Sequence, residues 1–113
     1  MINELAKLFS CMADENRLKI ILYLSQRREA SVGEIAKATN NYQSLVSHHL
    51  STLRKAGIVN KKRIGKNSVY VISEQAVKLI EFAESLSGVP PLDKKMNYHS
   101  LTSKIDVEED IST

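Results

Sequence analysis

After Gly57 the apolar period of this chain drops from helical spacing to strict alternation, and that switch limits what it can fold into. Ile58-Val-Asn-Lys-Lys-Arg-Ile64 and Ser68-Val-Tyr-Val-Ile72 read as two strands joined by Gly65-Lys66-Asn67, a hairpin turn. On either side of them, apolar residues recur at helical spacing. A lone hairpin is marginal in water, so this one must rest on helices. The expected fold class is mainly α with a two-stranded β-hairpin.

The helices can be placed from their caps and stripes. Ile2, Leu5, Leu8, Phe9 and Met12 predict a first helix over 2–12. Asp14 is the expected N-cap of a second. Leu18, Ile20, Ile21, Leu22, Tyr23 and Leu24 make 17–26 apolar nearly all round, as in a buried central helix. Arg27, Arg28 and Glu29 form a polar turn. Ser31-Val-Gly-Glu34 has the capping-box form and predicts a short helix over 32–38, burying Val32, Ile35 and Ala36. Thr39-Asn40-Asn41 reads as a turn. A further helix is expected over 42–56, stopped by Gly57. Ser73 caps a last helix from Glu74 to about Leu86, ended by Gly88 and Pro90-Pro91. A short helix, a tight turn and a second helix form a helix-turn-helix, with the hairpin as its wing. With 113 residues the chain holds one domain, expected over 1–91, followed by a polar tail over 92–113.

Net charge is only +3, but no acidic residue lies between Glu34 and Glu74. That window holds Lys37, Arg54, Lys55, Lys61, Lys62, Arg63 and Lys66. A basic surface confined to one part of a domain is the footprint of a phosphate-backbone partner. Taken alone, it also fits a solvated cationic face. No stretch is apolar for long enough to span a membrane. The opening residues lack the pattern of a secretory signal, and one cysteine cannot form an intrachain disulfide. The cytoplasm is the expected compartment.

On a wheel of 3.6 residues per turn, Tyr42, Leu45, Val46, His49, Leu50, Leu53 and Ala56 share one face of the 42–56 helix. Ser44, Ser47, His48, Ser51, Arg54 and Lys55 share the other, with Gln43 at its edge. Surface helices usually carry Glu and Lys outside, because these are good helix formers. Small hydroxyls and an amide instead allow close approach to base edges and phosphates. In the wing, Lys62, Arg63 and Lys66, beside Lys61, suit phosphates or a narrow A·T-rich minor groove. The plainer alternative for the wing is a solubilising hairpin. His48 and His49 point about 100° apart and cannot easily chelate one ion. His49 is therefore expected in the core and His48 on the DNA side.

Residues 5–86 resemble the arsenic-repressor (ArsR) family of winged helix-turn-helix repressors. The likeness is carried by Leu8-Phe-Ser-Cys-Met-Ala-Asp-Glu-Asn-Arg-Leu-Lys-Ile20, by Gln43-Ser-Leu-Val-Ser-His-His-Leu-Ser-Thr-Leu-Arg-Lys-Ala-Gly-Ile-Val59, and by Arg63-Ile-Gly-Lys-Asn-Ser-Val-Tyr70. It implies a homodimer built from the first and last helices, bound to an inverted-repeat operator and released by an inducer. Metal sensors of this family often carry a Cys-x-Cys pair in the short helix. Here Ser31 and Gly33 occupy those positions, and neither is a soft ligand. A second family site uses Asp and His on the last helix, but Ser73 to Leu86 contains Glu74, Glu81 and Glu84 and no His. No metal site and no cofactor is expected. Cys11 is expected to pack as a small hydrophobe, the alternative being a redox-active or metal-binding thiol beside its symmetry mate. His99, near Asp93 and Asp106 in sequence, shows no metal-site spacing.

With Ala76, Val77, Leu79, Ile80, Phe82, Ala83 and Leu86, the last helix is apolar over a face too wide for one neighbour. Its Val77, Ile80, Ala83 and Leu86, with Leu5, Leu8 and Phe9 of the first helix, are the expected dimer interface. The alternative cover is the tail, through Leu101, Ile105 and Val107. The expected function is a sequence-specific repressor whose partners are double-stranded operator DNA, a second copy of itself and an unidentified inducer, with no membrane. A winged-helix module that binds protein and not DNA is the competing reading. Protein interfaces centre on aromatic and apolar anchors, which the 42–56 helix lacks on its polar flank. An enzyme is not expected, since three His and one Cys provide no acid, base and nucleophile set and no Gly-rich phosphate loop appears.

Overall fold

Side-chain caps set the starts of three helices. The computed structural model describes residues 1–88. The expected tail, the Pro90-Pro91 stop, Asp93, His99, Leu101, Ile105, Asp106 and Val107 lie outside them. Helix α1 runs Ile2–Met12. Asp14 Oδ1 then accepts the Arg17 N–H at 3.0 Å and opens α2, Glu15–Arg27. Ser31 and Glu34 form the capping box of α3, Val32–Thr39: Ser31 Oγ accepts from the Glu34 N–H at 3.2 Å, and Glu34 Oε1 accepts from the Ser31 N–H at 3.0 Å. Helix α4 is Gln43–Lys55, and its N-cap, Tyr42, makes no side-chain cap bond. Ser73 Oγ accepts from the Ala76 N–H at 3.1 Å to open α5, Glu74–Ser87.

The sheet has three strands, not the two expected. Strands β1 (Glu29–Ala30), β2 (Val59–Ile64) and β3 (Asn67–Ile72) are antiparallel in the order β1-β3-β2. Glu29, expected in a plain polar turn, pairs with Val71 on the far edge of β3, and Ala30 beside it pairs with Tyr70. Arg28, at φ 73°, turns the chain out of α2, and its carbonyl accepts the Ile72 N–H at 3.2 Å. Two residues are too few to show an alternating pattern. The hairpin turn is also tighter than expected. Ile64 pairs with Asn67, leaving Gly65 and Lys66 as the loop, and Gly65 takes φ 61° at the first loop position, where a two-residue turn needs a positive φ.

Helix α2 is the hub and packs against α1, α3, α4, α5, β1 and β3. Its Ile20, Ile21 and Leu24 are fully buried with Ile35 of α3, Val46, Leu50 and Leu53 of α4, and Val59 of β2. Two residues expected on the apolar face of α4 are not there. Tyr42 is 83% exposed and Ala56 is exposed too. Both are caps, and Tyr42 has the extended backbone of an N-cap (φ −69°, ψ 145°), so the helical wheel does not apply to it. No helix among the described residues is long and apolar enough to cross a membrane. Leu50→Ala, which empties the centre of this core, is expected to cost about 2–5 kcal/mol of unfolding free energy, read by chemical denaturation.

Candidate nucleic-acid interface

The turn between α3 and α4 is held from both sides. Asn40 ends α3 in the left-handed conformation (φ 55°), which asparagine tolerates. The Asn41 N–H donates to the Ala36 carbonyl at 3.0 Å, and its side-chain amide donates to Asn16 Oδ1 on α2 at 3.4 Å. With the turn fixed, Val46, His49, Leu50 and Leu53 point into the core, and Leu45 and Thr52 are half-buried at its border. Gln43, Ser44, Ser47, His48, Ser51, Arg54 and Lys55 are all exposed, as the wheel expects. They form one flank of hydroxyls, an amide and an imidazole, with two cations in the last turn. No carboxylate sits on α4 or the hairpin. The cations at the C-terminal end also complement the helix dipole.

The wing residues separate by strand period. Lys62 pairs with Val69 and Arg63 with Ser68, so adjacent cations leave opposite faces of the hairpin. Lys62 Nζ lies 3.8 Å from Glu29 Oε2 on β1, the opposite edge strand, reaching across β3. Such an exposed pair is worth about 0–1 kcal/mol and does not lock the side chain. It does set Lys62 apart from Arg63, with which the sequence groups it. Lys61, on the face of Arg63, lies over the Tyr70 ring at 6.0 Å. Arg63 Nε donates to the Gly65 carbonyl at 3.4 Å, which places its guanidinium beside the turn with Lys66. Arg63 and Lys66 are the cations of the wing tip.

A second surface is apolar. Leu5 and Phe9 of α1 and Ala83 and Leu86 of α5 are exposed, and Leu8 is half-buried. Val77 and Ile80 are not on that surface, which corrects the expected interface. With Ala76 they form the stripe of α5 that is buried inside the subunit, the side on which α5 packs against α2. The outward stripe includes Phe82, 63% exposed, and Leu86, 76% exposed, one helical turn apart. Phe82, which the sequence places on the broad apolar arc of the last helix, and Ile2, on the stripe of the first, are exposed as well. Among the described residues no three His, Cys, Asp or Glu gather as metal ligands, and Cys11 is half-buried against the core.

Residues 14–61 match the family described as Bacterial regulatory protein, arsR family. The arsenical resistance operon repressor of Escherichia coli K12 is 36% identical over 81 residues, covering 68% of this chain and 69% of that protein. The chain belongs to the arsR family. The transcriptional activator HlyU of Vibrio cholerae is 38% identical over 80 residues, 70% of this chain and 73% of that protein. CadC, the cadmium resistance regulatory protein of Listeria innocua, is 36% identical over 76 residues, 67% of this chain. The match spans 62% of CadC, less than two thirds of that relative's length. Among solved structures, the homodimeric winged helix-turn-helix DNA-binding domain of Mb0332 from Mycobacterium bovis superposes with a TM-score of 0.72. Its sequence identity is 27%, over 77% of this chain and 81% of that one. The architecture of this arsR-family chain is therefore a winged helix-turn-helix. Ser31 serves the capping box of α3.

Behind the exposed flank of this arsR-family chain lies a buried polar contact. His49 is 6% exposed, and its Nδ1 stands 3.4 Å from Arg17 Nη1. If the arginine donates, Nδ1 is the acceptor and the ring proton sits on Nε2, which is buried and has no partner among the described residues. Burial lowers the His49 pKa below its ordinary value, Arg17 and His48 add to that, and Asp14 opposes it. The balance favours the neutral ring. Asp14 is also lowered, chiefly by the Arg17 backbone N–H it accepts. Both shifts make stability rise with pH. The His49 contribution is present above its unfolded value of about 6.5 and is lost as pH falls through the lower folded value. The Asp14 contribution persists until pH falls below about 4, its unfolded value. Thermal midpoints should therefore decline in two stages on acidification, and His49→Gln should remove the first while sparing the second. A single decline unchanged by that substitution would contradict the assignment.

Proposed function

We propose that this chain is a sequence-specific DNA-binding transcriptional repressor that acts as a homodimer on an inverted-repeat, double-stranded operator in the cytoplasm. The observation that carries this reading is the exposed, acid-free flank of α4 beside a wing tip that bears Arg63 and Lys66. Gln43, Ser44, Ser47, His48 and Ser51 read base edges and nearby phosphates, while Arg54, Lys55, Arg63 and Lys66 hold the backbone. Lys62, drawn toward Glu29, contributes least. The dimer forms through the apolar surface of Ile2, Leu5, Phe9, Phe82, Ala83 and Leu86, with Leu8 partly covered and Val77 and Ile80 supporting it from inside. Two-fold symmetry then presents two reading helices about 34 Å apart, one turn of DNA. The homodimeric relative from Mycobacterium bovis supports this arrangement.

A dimer seated on a promoter excludes whatever would otherwise bind there, the simplest route from occupancy to repression. The E. coli relative named as a repressor supports that sign. Ser31 and Gly33, and an α5 without histidine, support a regulator that lacks the family's two usual metal sites.

Selection of bound fragments from genomic DNA tests the reading, followed by a promoter–reporter assay of the sign. Affinity should fall steeply with salt, and Arg63→Ala or Lys66→Ala should each reduce the slope of log K against log salt by about 1 across all sequences. Ser44→Ala or Ser47→Ala should leave that slope alone and cost about 1–3 kcal/mol of discrimination at single base positions. Absence of DNA retardation, with capture of a protein partner instead, would move the chain to the protein-interaction class. Leu86→Asp should shift sedimentation from dimer to monomer and weaken operator binding with it; a variant that stays dimeric would place the interface elsewhere.

A further inference from the structure

Arg17 touches three parts of the chain at once. Its backbone N–H is capped by Asp14 at 3.0 Å, which fixes it in the first turn of α2. Its Nε donates to the carbonyl of Cys11, in the last turn of α1. Its Nη1 contacts His49 Nδ1 on α4 at 3.4 Å. A guanidinium is a planar fork, and one side chain therefore holds two elements at a set separation and angle. The imidazole at the other end is buried and neutral, and its second nitrogen has no partner among the described residues. A leucine would fill that volume with no polar group to leave unsatisfied. What the histidine adds over leucine is the acceptor that meets Arg17.

The groups around this contact are few. Asp14 and Arg17 face His49 from α2, His48 is beside it on α4 with ring centroids 5.7 Å apart, and α1 contributes the Cys11 carbonyl rather than a charge. Arg17 is partly buried and remote in sequence from the exposed flank of α4. We infer that Arg17, through His49, is a positioning residue that fixes the reading helix α4 relative to α1, and so sets the distance between the two reading helices of a dimer. This inference rests on the proposed operator-binding dimer. Salt dependence would not reveal it, because Arg17 neutralises no phosphate in this role.

Half-site spacing reveals it. The full-length protein is first given an operator selected from genomic DNA, and one base pair is then inserted between the half-sites, which moves them about 3.4 Å apart and rotates them about one tenth of a turn. The unaltered protein should lose about tenfold or more in affinity on insertion, since a held geometry cannot follow. Arg17→Met and His49→Leu should show a penalty of about threefold or less, with an unchanged salt slope and retained dimer. His49→Gln, whose amide oxygen can still accept from Arg17, should keep the original penalty. A spacing penalty equal in the unaltered protein, Arg17→Met and His49→Leu overturns the inference. So does loss of the penalty in His49→Gln to the same extent as in His49→Leu. If Arg17→Met fails to fold, the His49 pair alone decides. Failure of the unaltered protein to bind any fragment would instead overturn the operator-binding reading, and this inference with it.

Discussion

Burial of one stripe of α4 sets the rest of the surface. Val46, Leu50 and Leu53 are fully buried against α2, α3 and β2. At about 1.5–3 kcal/mol of transfer free energy each, they contribute several kcal/mol to holding that helix in one rotation about its axis. Rotating α4 by half a turn would expose all three and bury Ser44, Ser47 and Ser51 without partners. The outward flank is therefore a consequence of the inward one. That outer face carries Arg54 and Lys55 and no carboxylate, which leaves it compatible with a polyanion.

The hub helix, α2, combines two kinds of contact. Its middle is aliphatic and fills the core, while its first turn is polar and addresses neighbours residue by residue. Asp14 caps the helix, Asn16 accepts from the turn at Asn41, and Arg17 reaches α1 and α4. Apolar packing fixes position along a helix less sharply than hydrogen bonds do, because dispersion is non-directional and small side chains can slide by fractions of an ångström. The polar first turn adds directional contacts to the packing of the aliphatic middle.

Most of this fold could be read from the sequence because its signals are local. Asp14, Ser31 with Glu34, and Ser73 cap helices within three residues of themselves, and the change of period at Gly57 is visible in any window across it. The exposed flank of α4 follows from the same local period. Errors arose where a residue's role is set by something distant or by a helix ending. The strand Glu29–Ala30 exists only because β3 has a free edge beside it. Tyr42 was placed on a wheel that its N-cap backbone does not obey. Val77 and Ile80 looked the same in sequence as Phe82 and Leu86, because a helix apolar over a broad arc does not say which part faces its own subunit. Arg17 and His49 lie 32 positions apart, and no pattern in the chain joins them.

The two outward surfaces stand on different elements: the apolar one on α1 and α5, the cationic one on α4 and the hairpin. Helices α1, α4 and α5 all pack on α2, and α1 also touches α4 directly. A displacement of α1 or α5 therefore has short physical routes to α4, through the α1–α4 contact and through α2. The middle of α2 is close-packed and moves as a body, whereas its first turn contacts α4 through a few polar atoms whose geometry is directional. On the proposed operator, rotation of α4 about this hub would change both the separation and the relative angle of the two reading helices.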